Sequence, residues 1–150
     1  MSILSLHNAN IPEHVKLPPE LVVGIGVVDE QHRLLLAQLD YLTCKAEGQT
    51  LDSEIMGECA YVIGQTLLMH FRTEEEIMWR NKTPADQLAR HIDDHGRIIS
   101  EYVALQELIM TKPDTKIHDV LGMIEDWIVT HIADFDVPAL RINNLAASGF

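Results

Sequence analysis

Basic residues are scarce in this chain of 150 residues, which has 11 Lys and Arg against 23 Asp and Glu and a formal net charge of −12. A chain so acidic repels nucleic-acid phosphates and anionic membrane surfaces, so neither partner is expected. No apolar run approaches the roughly 18 residues that a membrane-spanning helix needs. The N-terminal segment MSILSLHNANIPEH lacks the basic start and apolar centre of a secretory signal.

Cysteine is also scarce. Cys44 and Cys59 form neither a C-x-x-C pair nor a disulfide framework. We therefore expect two reduced cysteines in the protein core and a cytoplasmic location.

The length and the apolar fraction of 47% indicate one globular domain with a sizeable core. Residues 1–28 are interpreted as an irregular N-terminal arm that packs on the rest, because proline and glycine oppose helix formation there. These residues are Pro12, Pro18, Pro19, Gly24 and Gly26. Residues 29–150 are assigned to the bundle described next, which ends in a short C-terminal tail.

Helical periodicity, with apolar residues at steps of three and four, dominates the remainder of the chain. It predicts helices over about 29–45, 52–80 and 84–112, and a fourth from about 114 that Pro138 should stop or kink. No segment has the period of a β-strand. The prediction is an all-α fold, an antiparallel up-down-up-down four-helix bundle preceded by the irregular arm.

Histidine is abundant, with eight residues, and five of them interrupt the apolar stripes. His70 and Glu74 are four residues apart, as are His91 and His95, so each pair lies on one helix face. His32 and His131 lie on the inward faces of the first and fourth helices. Buried imidazole and carboxylate groups need partners, and iron, zinc and related ions supply them. The pattern predicts a metal site inside the bundle.

Spacing alone does not decide which of two aspartates after His131 belongs to this site. Asp134, three residues after His131, shares its face in a regular helix, whereas Asp136 lies roughly 140° away around the axis. Asp136 reaches the same site only from another azimuth or through a π-bulge or loosening before Pro138.

Four motifs carry a family resemblance: DEQH at 29–32, HFRTEE at 70–75, HIDDH at 91–95 and WIVTHIADFD at 127–136. In order and spacing they resemble the H, H-x-x-x-E, H-x-x-x-H and H-x-x-x-x-D set of the hemerythrin-like domain family, in particular its bacterial single-domain members. The resemblance implies two iron ions, bridged by an oxo or hydroxo group and two carboxylates. It assigns His91, His95 and His131 to one iron and His32 and His70 to the other, with Glu74 and Asp136 as bridges.

The function implied by the resemblance is reversible dioxygen binding by an oxygen carrier, store or sensor that is not an enzyme. The side chains expected to wall the dioxygen pocket are Leu35, Phe71, Ile128 and Ile132. Two alternatives remain open: an oxygen- or redox-responsive regulator that binds an unidentified protein or small molecule, and a di-iron peroxidase or nitric-oxide-handling protein. His7, His14 and His118 are interpreted as solvated. Glu75, Glu76, Asp93 and Asp94 are also interpreted as solvated, unless one of them orients a ligand imidazole.

Overall fold

The computed structural model describes residues 16–48, 53–112 and 115–141. These ranges contain helices and no strand, which confirms the all-α prediction. In chain order the elements are a 3-10 turn at Pro19–Leu21, α1 at Gly26–Gly48, α2 at Ser53–Arg80, α3 at Ala85–Thr111, α4 at Ile117–His131 and a π-helix at Ile132–Arg141.

The four α-helices form a bundle because each packs against two others. α2 contacts α1 and α3, and α4 contacts α1 and α3, which closes a ring around one core. The stripe predicted for α3 faces that core: its first member, Leu88, is partly buried, and the other six are buried, namely His91, His95, Ile98, Tyr102, Leu105 and Ile109. Burial of such a stripe is the main source of stability for an amphipathic helix.

The start of α1 differs from the prediction. The helix begins at Gly26, three residues earlier than expected, because the chain turns at Gly24, whose φ of 92° suits glycine. The Asp29 carboxylate accepts hydrogen bonds from the backbone N–H groups of Val23 at 2.9 Å and Gly24 at 3.0 Å. These hydrogen bonds join the loop at Gly24 to the first turn of α1. Gly26 does not have a positive φ, so its conformation is open to other residues. The predicted start of the fourth helix at Asp114 lies outside the described residues.

Pro138 does not stop the last helical segment, which was one of the two outcomes predicted for it. The backbone continues through Pro138 as a π-helix to Arg141. The proline ring collides with the carbonyl four residues earlier in an α-helix, and the wider turn of a π-helix relieves that collision.

The described part of the arm packs on the bundle. Leu21 and Val23 are buried, and Arg141 at the end of the π-helix donates a hydrogen bond from Nε to the Val22 carbonyl at 3.0 Å. Cys44 is an exposed free thiol, so the expectation of a core residue was wrong: this position falls on the outer side of α1. The Cys59 side chain lies outside what the structure describes. None of the helices in the described ranges combines the length and hydropathy that crossing a bilayer requires.

Candidate metal centre

Seven polar side chains from five elements meet at one end of the core, and all seven are buried. They come from α1, α2, α3, the end of α4 and the π-helix, and they are the seven sites predicted from sequence: His32, His70, Glu74, His91, His95, His131 and Asp136. The structure brings all seven together, and their role as metal ligands stays a prediction.

The seven side chains form two groups, and within each group the candidate ligand atoms lie within 4.8 Å of one another. One group has three imidazoles, His91, His95 and His131. The other has two, His32 and His70. The carboxylates of Glu74 and Asp136 belong to both groups, which gives five donors on one side and four on the other. Two adjacent cation sites with shared carboxylates fit this arrangement.

The distances show how closely the donors converge on the shared carboxylates. Asp136 Oδ1 lies 2.9 Å from both His91 Nε2 and His131 Nε2, and Asp136 Oδ2 lies 2.9 Å from His32 Nε2. Glu74 Oε2 lies 3.2 Å from His91 Nε2, and Glu74 Oε1 contacts His70 Nε2. Each carboxylate therefore touches imidazoles of both groups.

The π-helix explains how Asp136 reaches the centre. Its hydrogen bonds run from residue i to i+5, so a residue five positions on lies close above the first. Asp136 is fully buried, whereas Asp134, which α-helical geometry favoured, is exposed. The sequence left two routes open for Asp136, another azimuth or a π-type widening of the helix before Pro138. The structure shows the second route.

Several buried donor atoms lack a hydrogen-bond partner within the described structure. They include His32 Nε2, His70 Nε2, Glu74 Oε1 and both oxygens of Asp136, although nitrogen and oxygen atoms lie close by. His95 Nε2 and His131 Nε2 approach to 3.0 Å, a distance that calls for a proton or a metal ion between two nitrogen lone pairs. Unsatisfied polar atoms are costly in a protein interior, and metal coordination would satisfy these. The residues present fit a metal centre.

The electrostatics of the cluster favour added positive charge. Burial opposes protonation of His32 and His91, but the nearby carboxylates of Asp136 and Glu74 outweigh it and raise the pKa of each imidazole to about 9. Burial likewise opposes ionisation of Glu74, yet His70 and its other neighbours hold its pKa well below the usual value. The two carboxylates thus attract cations, whether protons or metal ions.

His95 behaves differently from the other imidazoles. Burial, together with the charges of His131 and His91, lowers the pKa of His95 to about 3. The neutral form is the one that binds metal, so His95 needs to lose no proton to act as a ligand.

Two outer side chains fix the orientation of imidazoles in the cluster. His131 donates from Nδ1 to Asp94 Oδ2 at 2.6 Å, and His70 donates from Nδ1 to Gln31 Oε1 at 2.8 Å. Gln31 in turn donates from Nε2 to Thr73 Oγ1 at 3.2 Å. With Nδ1 engaged as donor, Nε2 of each ring is directed at the centre, as metal ligands require.

One of these two outer contacts had been kept open as an alternative. Asp94 was interpreted as solvated unless it orients an imidazole of the site, and the structure shows the second arrangement, because Asp94 is half-buried between His131 and Arg97. Burial would raise the pKa of Asp94, but these two partners lower it. The contact of Gln31 was not predicted, although Gln31 directly precedes His32, a predicted ligand. Asp93 and Glu76 are exposed, as predicted.

An apolar cavity of about 10 Å³ lies against the centre. It is about the size needed for a single small molecule. Its walls include all four side chains predicted to line the dioxygen pocket and two more, Leu67 and Ile98, that were missed: Leu35, Leu67, Phe71, Ile98, Ile128 and Ile132. The imidazoles that reach it are those of His32, His70 and His131. The cavity therefore adjoins both imidazoles of the two-histidine group.

Aromatic rings brace the three-histidine group. Phe71 stacks on His95 with ring centres 4.0 Å apart, and Phe135 stacks on His131 at 5.3 Å. Among the remaining histidines, His118 is exposed as predicted, whereas His7 and His14 lie outside the described residues.

Comparison with known proteins agrees with this geometry. Residues 23–136, most of the chain, match the family model described as the hemerythrin HHE cation binding domain. The chain belongs to the hemerythrin family, whose domain binds metal cations. No curated protein and no solved structure gave a significant match.

Proposed function

We propose that this protein binds dioxygen reversibly at a centre of two iron ions. The observation that carries the proposal is the apolar cavity, because it adjoins both imidazoles of the group that has fewer donors and only His131 of the other group. A metal ion held by four protein donors keeps more room for an external ligand than one held by five. The cavity provides this room next to His32 and His70, the imidazoles of the four-donor group.

The donor set divides naturally between two ions. His91, His95 and His131 would hold one iron, His32 and His70 the other, and Glu74 and Asp136 would bridge them. When bound, two ferrous ions supply the electrons that reversible dioxygen binding requires.

The chain's own contribution is to keep the site dry. The six cavity walls other than imidazoles are all hydrocarbon side chains, with no hydroxyl, amine or carboxyl group among them. Two of the three imidazoles that reach the cavity have Nδ1 engaged elsewhere, His70 with Gln31 and His131 with Asp94. A peroxidase needs an acid–base group beside its substrate. The described walls favour a carrier, store or sensor over an enzyme.

The decisive experiment is an anaerobic reduction of the iron-loaded protein followed by dioxygen titration, with absorbance as the readout. We expect a visible band that appears with dioxygen, vanishes under vacuum and returns with air. Elemental analysis of the same sample should give iron in an amount matching both groups. Immediate irreversible oxidation in air would contradict the proposal and favour a peroxidase or nitric-oxide-handling enzyme.

Two further outcomes would define the role more closely. A partner captured from the host extract by only the reduced or only the oxidised protein would favour an oxygen- or redox-responsive regulator. Equal capture by both forms would favour a carrier or store. We also propose a cytoplasmic location, which the exposed free thiol of Cys44 supports because thiols stay reduced there.

A further inference from the structure

A surface groove runs between α2 and α3. Its volume is about 230 Å³, and the described side chains that line it carry no charge. Three of them are large, apolar and substantially exposed: Tyr61 at 58%, Leu68 at 37% and Val103 at 56%. An uncharged opening of this kind stands out on a chain with a net charge of −12. We call it the outer groove.

The outer groove and the apolar cavity share one residue, Leu67. Leu67 lies on the inner side of α2, is only 3% exposed and lines both spaces. On α3 the neighbouring residues Ile98 and Ile99 divide the two spaces, since Ile98 lines the cavity and Ile99 lines the groove. A single layer of side chains therefore separates the solvent-facing groove from the cavity.

Other openings near the centre lack this relation. A pocket of about 460 Å³ reaches His91 from outside but is lined by Arg90 and Asp134, and shares no residue with the cavity. A second pocket, lined by Arg72 and Glu76, also shares none. Charged walls hold water and ions, whereas a neutral diatomic molecule loses little on entering an apolar space.

We propose that dioxygen enters and leaves the cavity through the outer groove, and that Leu67 is the gate between them. The inference rests on the proposed function and adds a route to it. Side chains in packed interiors still change rotamer, so a leucine backed by a groove on one side and a cavity on the other can swing aside briefly. A hydrocarbon gate passes dioxygen and keeps out water, anions and protons.

The test is to measure dioxygen association and dissociation rates by rapid mixing in two variants with opposite effects. Leu67→Ala removes the gate and should raise both rates by roughly tenfold. Val103→Trp narrows the groove from its outer edge, away from the cavity, and should lower both rates by roughly tenfold while leaving their ratio unchanged. The matched control is Met110→Trp, seven residues further along α3, at a residue 81% exposed and outside the groove lining.

The outcomes separate the route from the function. Wild-type rates in Leu67→Ala, wild-type rates in Val103→Trp, or equal slowing in Met110→Trp would each overturn the route. Loss of reversible binding in the unmodified protein would instead overturn the proposed function. Crystals held under krypton pressure give a readout that does not depend on dioxygen binding: we expect krypton on both sides of Leu67. Krypton confined to the pocket at Arg90 would contradict the route.

Discussion

The two ligand groups of the centre differ in the side chains and spaces that contact their imidazoles, apart from the two carboxylates that they share. Behind the three-histidine group lie a carboxylate, Asp94, and an aromatic ring, Phe135, both in contact with His131. Behind the two-histidine group lie a neutral amide, Gln31, and the apolar cavity. The three-histidine group thus has a charged outer partner and reaches the cavity only through His131, whereas the two-histidine group has a neutral outer partner and both of its imidazoles line the cavity.

If each group holds one ion, as proposed above, this difference would give two similar ions different tasks. A carboxylate behind an imidazole makes it a stronger ligand, because the negative charge supports the positive charge of the metal ion. An amide gives orientation with less effect on ligand strength. On the proposed function, the three-histidine side would therefore retain its ion, and the two-histidine side would leave a coordination position accessible.

The largest expected loss of metal affinity comes from removing Asp136, a carboxylate that both groups share. Asp136→Ala should lower the affinity for both ions by more than about 100-fold, the upper end of the loss seen for outer partners. Asp134→Ala, at an exposed carboxylate of the same π-helix, should leave metal content unchanged. Metal per chain after dialysis is the measurement. Equal losses in both variants would refute the role given to the π-helix.

The second-largest loss of metal affinity is expected from removing Asp94, the carboxylate that accepts a hydrogen bond from His131. Asp94→Ala should weaken metal binding by about 10- to 100-fold, because His131 loses its orienting acceptor. Asp93→Ala, at the exposed neighbouring residue, is the control and should bind as wild type. Competition with a metal indicator measures both. An unchanged affinity in Asp94→Ala would remove the basis for treating the three-histidine side as the retentive one.

The cavity can be separated from general packing by a pair of variants on α4. Ile128 lines the cavity at the centre, and Ile124 lines a separate apolar space farther along the core. Ile128→Ala and Ile124→Ala should each lower the free energy of unfolding by about 2–5 kcal/mol, since both residues are buried. Only Ile128→Ala should speed oxidation in air, by roughly tenfold. Similar oxidation rates in the two variants would show that the cavity does not protect the centre.

The smallest loss of metal affinity is expected from removing Gln31, the outer partner of His70 in the two-histidine group. Gln31→Leu removes a neutral hydrogen bond worth about 1 kcal/mol, so metal affinity should fall only about fivefold. Glu30→Leu, at the exposed preceding residue, serves as the control. A loss in Gln31→Leu as large as that in Asp94→Ala would erase the contrast between the two groups.

Periodicity was sufficient for the four helices and for six of the seven buried polar residues, because an α-helix repeats its facing residues every three or four positions. It was not sufficient for Asp136, whose position depends on the wider turn around Pro138. Nor could it identify Asp94 or Gln31, because a polar residue at the edge of a helix face has the same pattern whether it meets solvent or an imidazole. Leu67 and Ile98 have the pattern of ordinary core residues, and only three-dimensional packing shows that a void lies between them.

The π-helix also bears on how such sites are recognised in a sequence. His70 with Glu74 and His91 with His95 are spaced by four residues, whereas His131 and Asp136 are spaced by five and still meet. The longer interval is a change of register confined to the last segment of the bundle. A search restricted to α-helical intervals would keep five imidazoles and Glu74 and discard Asp136, the second of the two carboxylates that the ligand groups share.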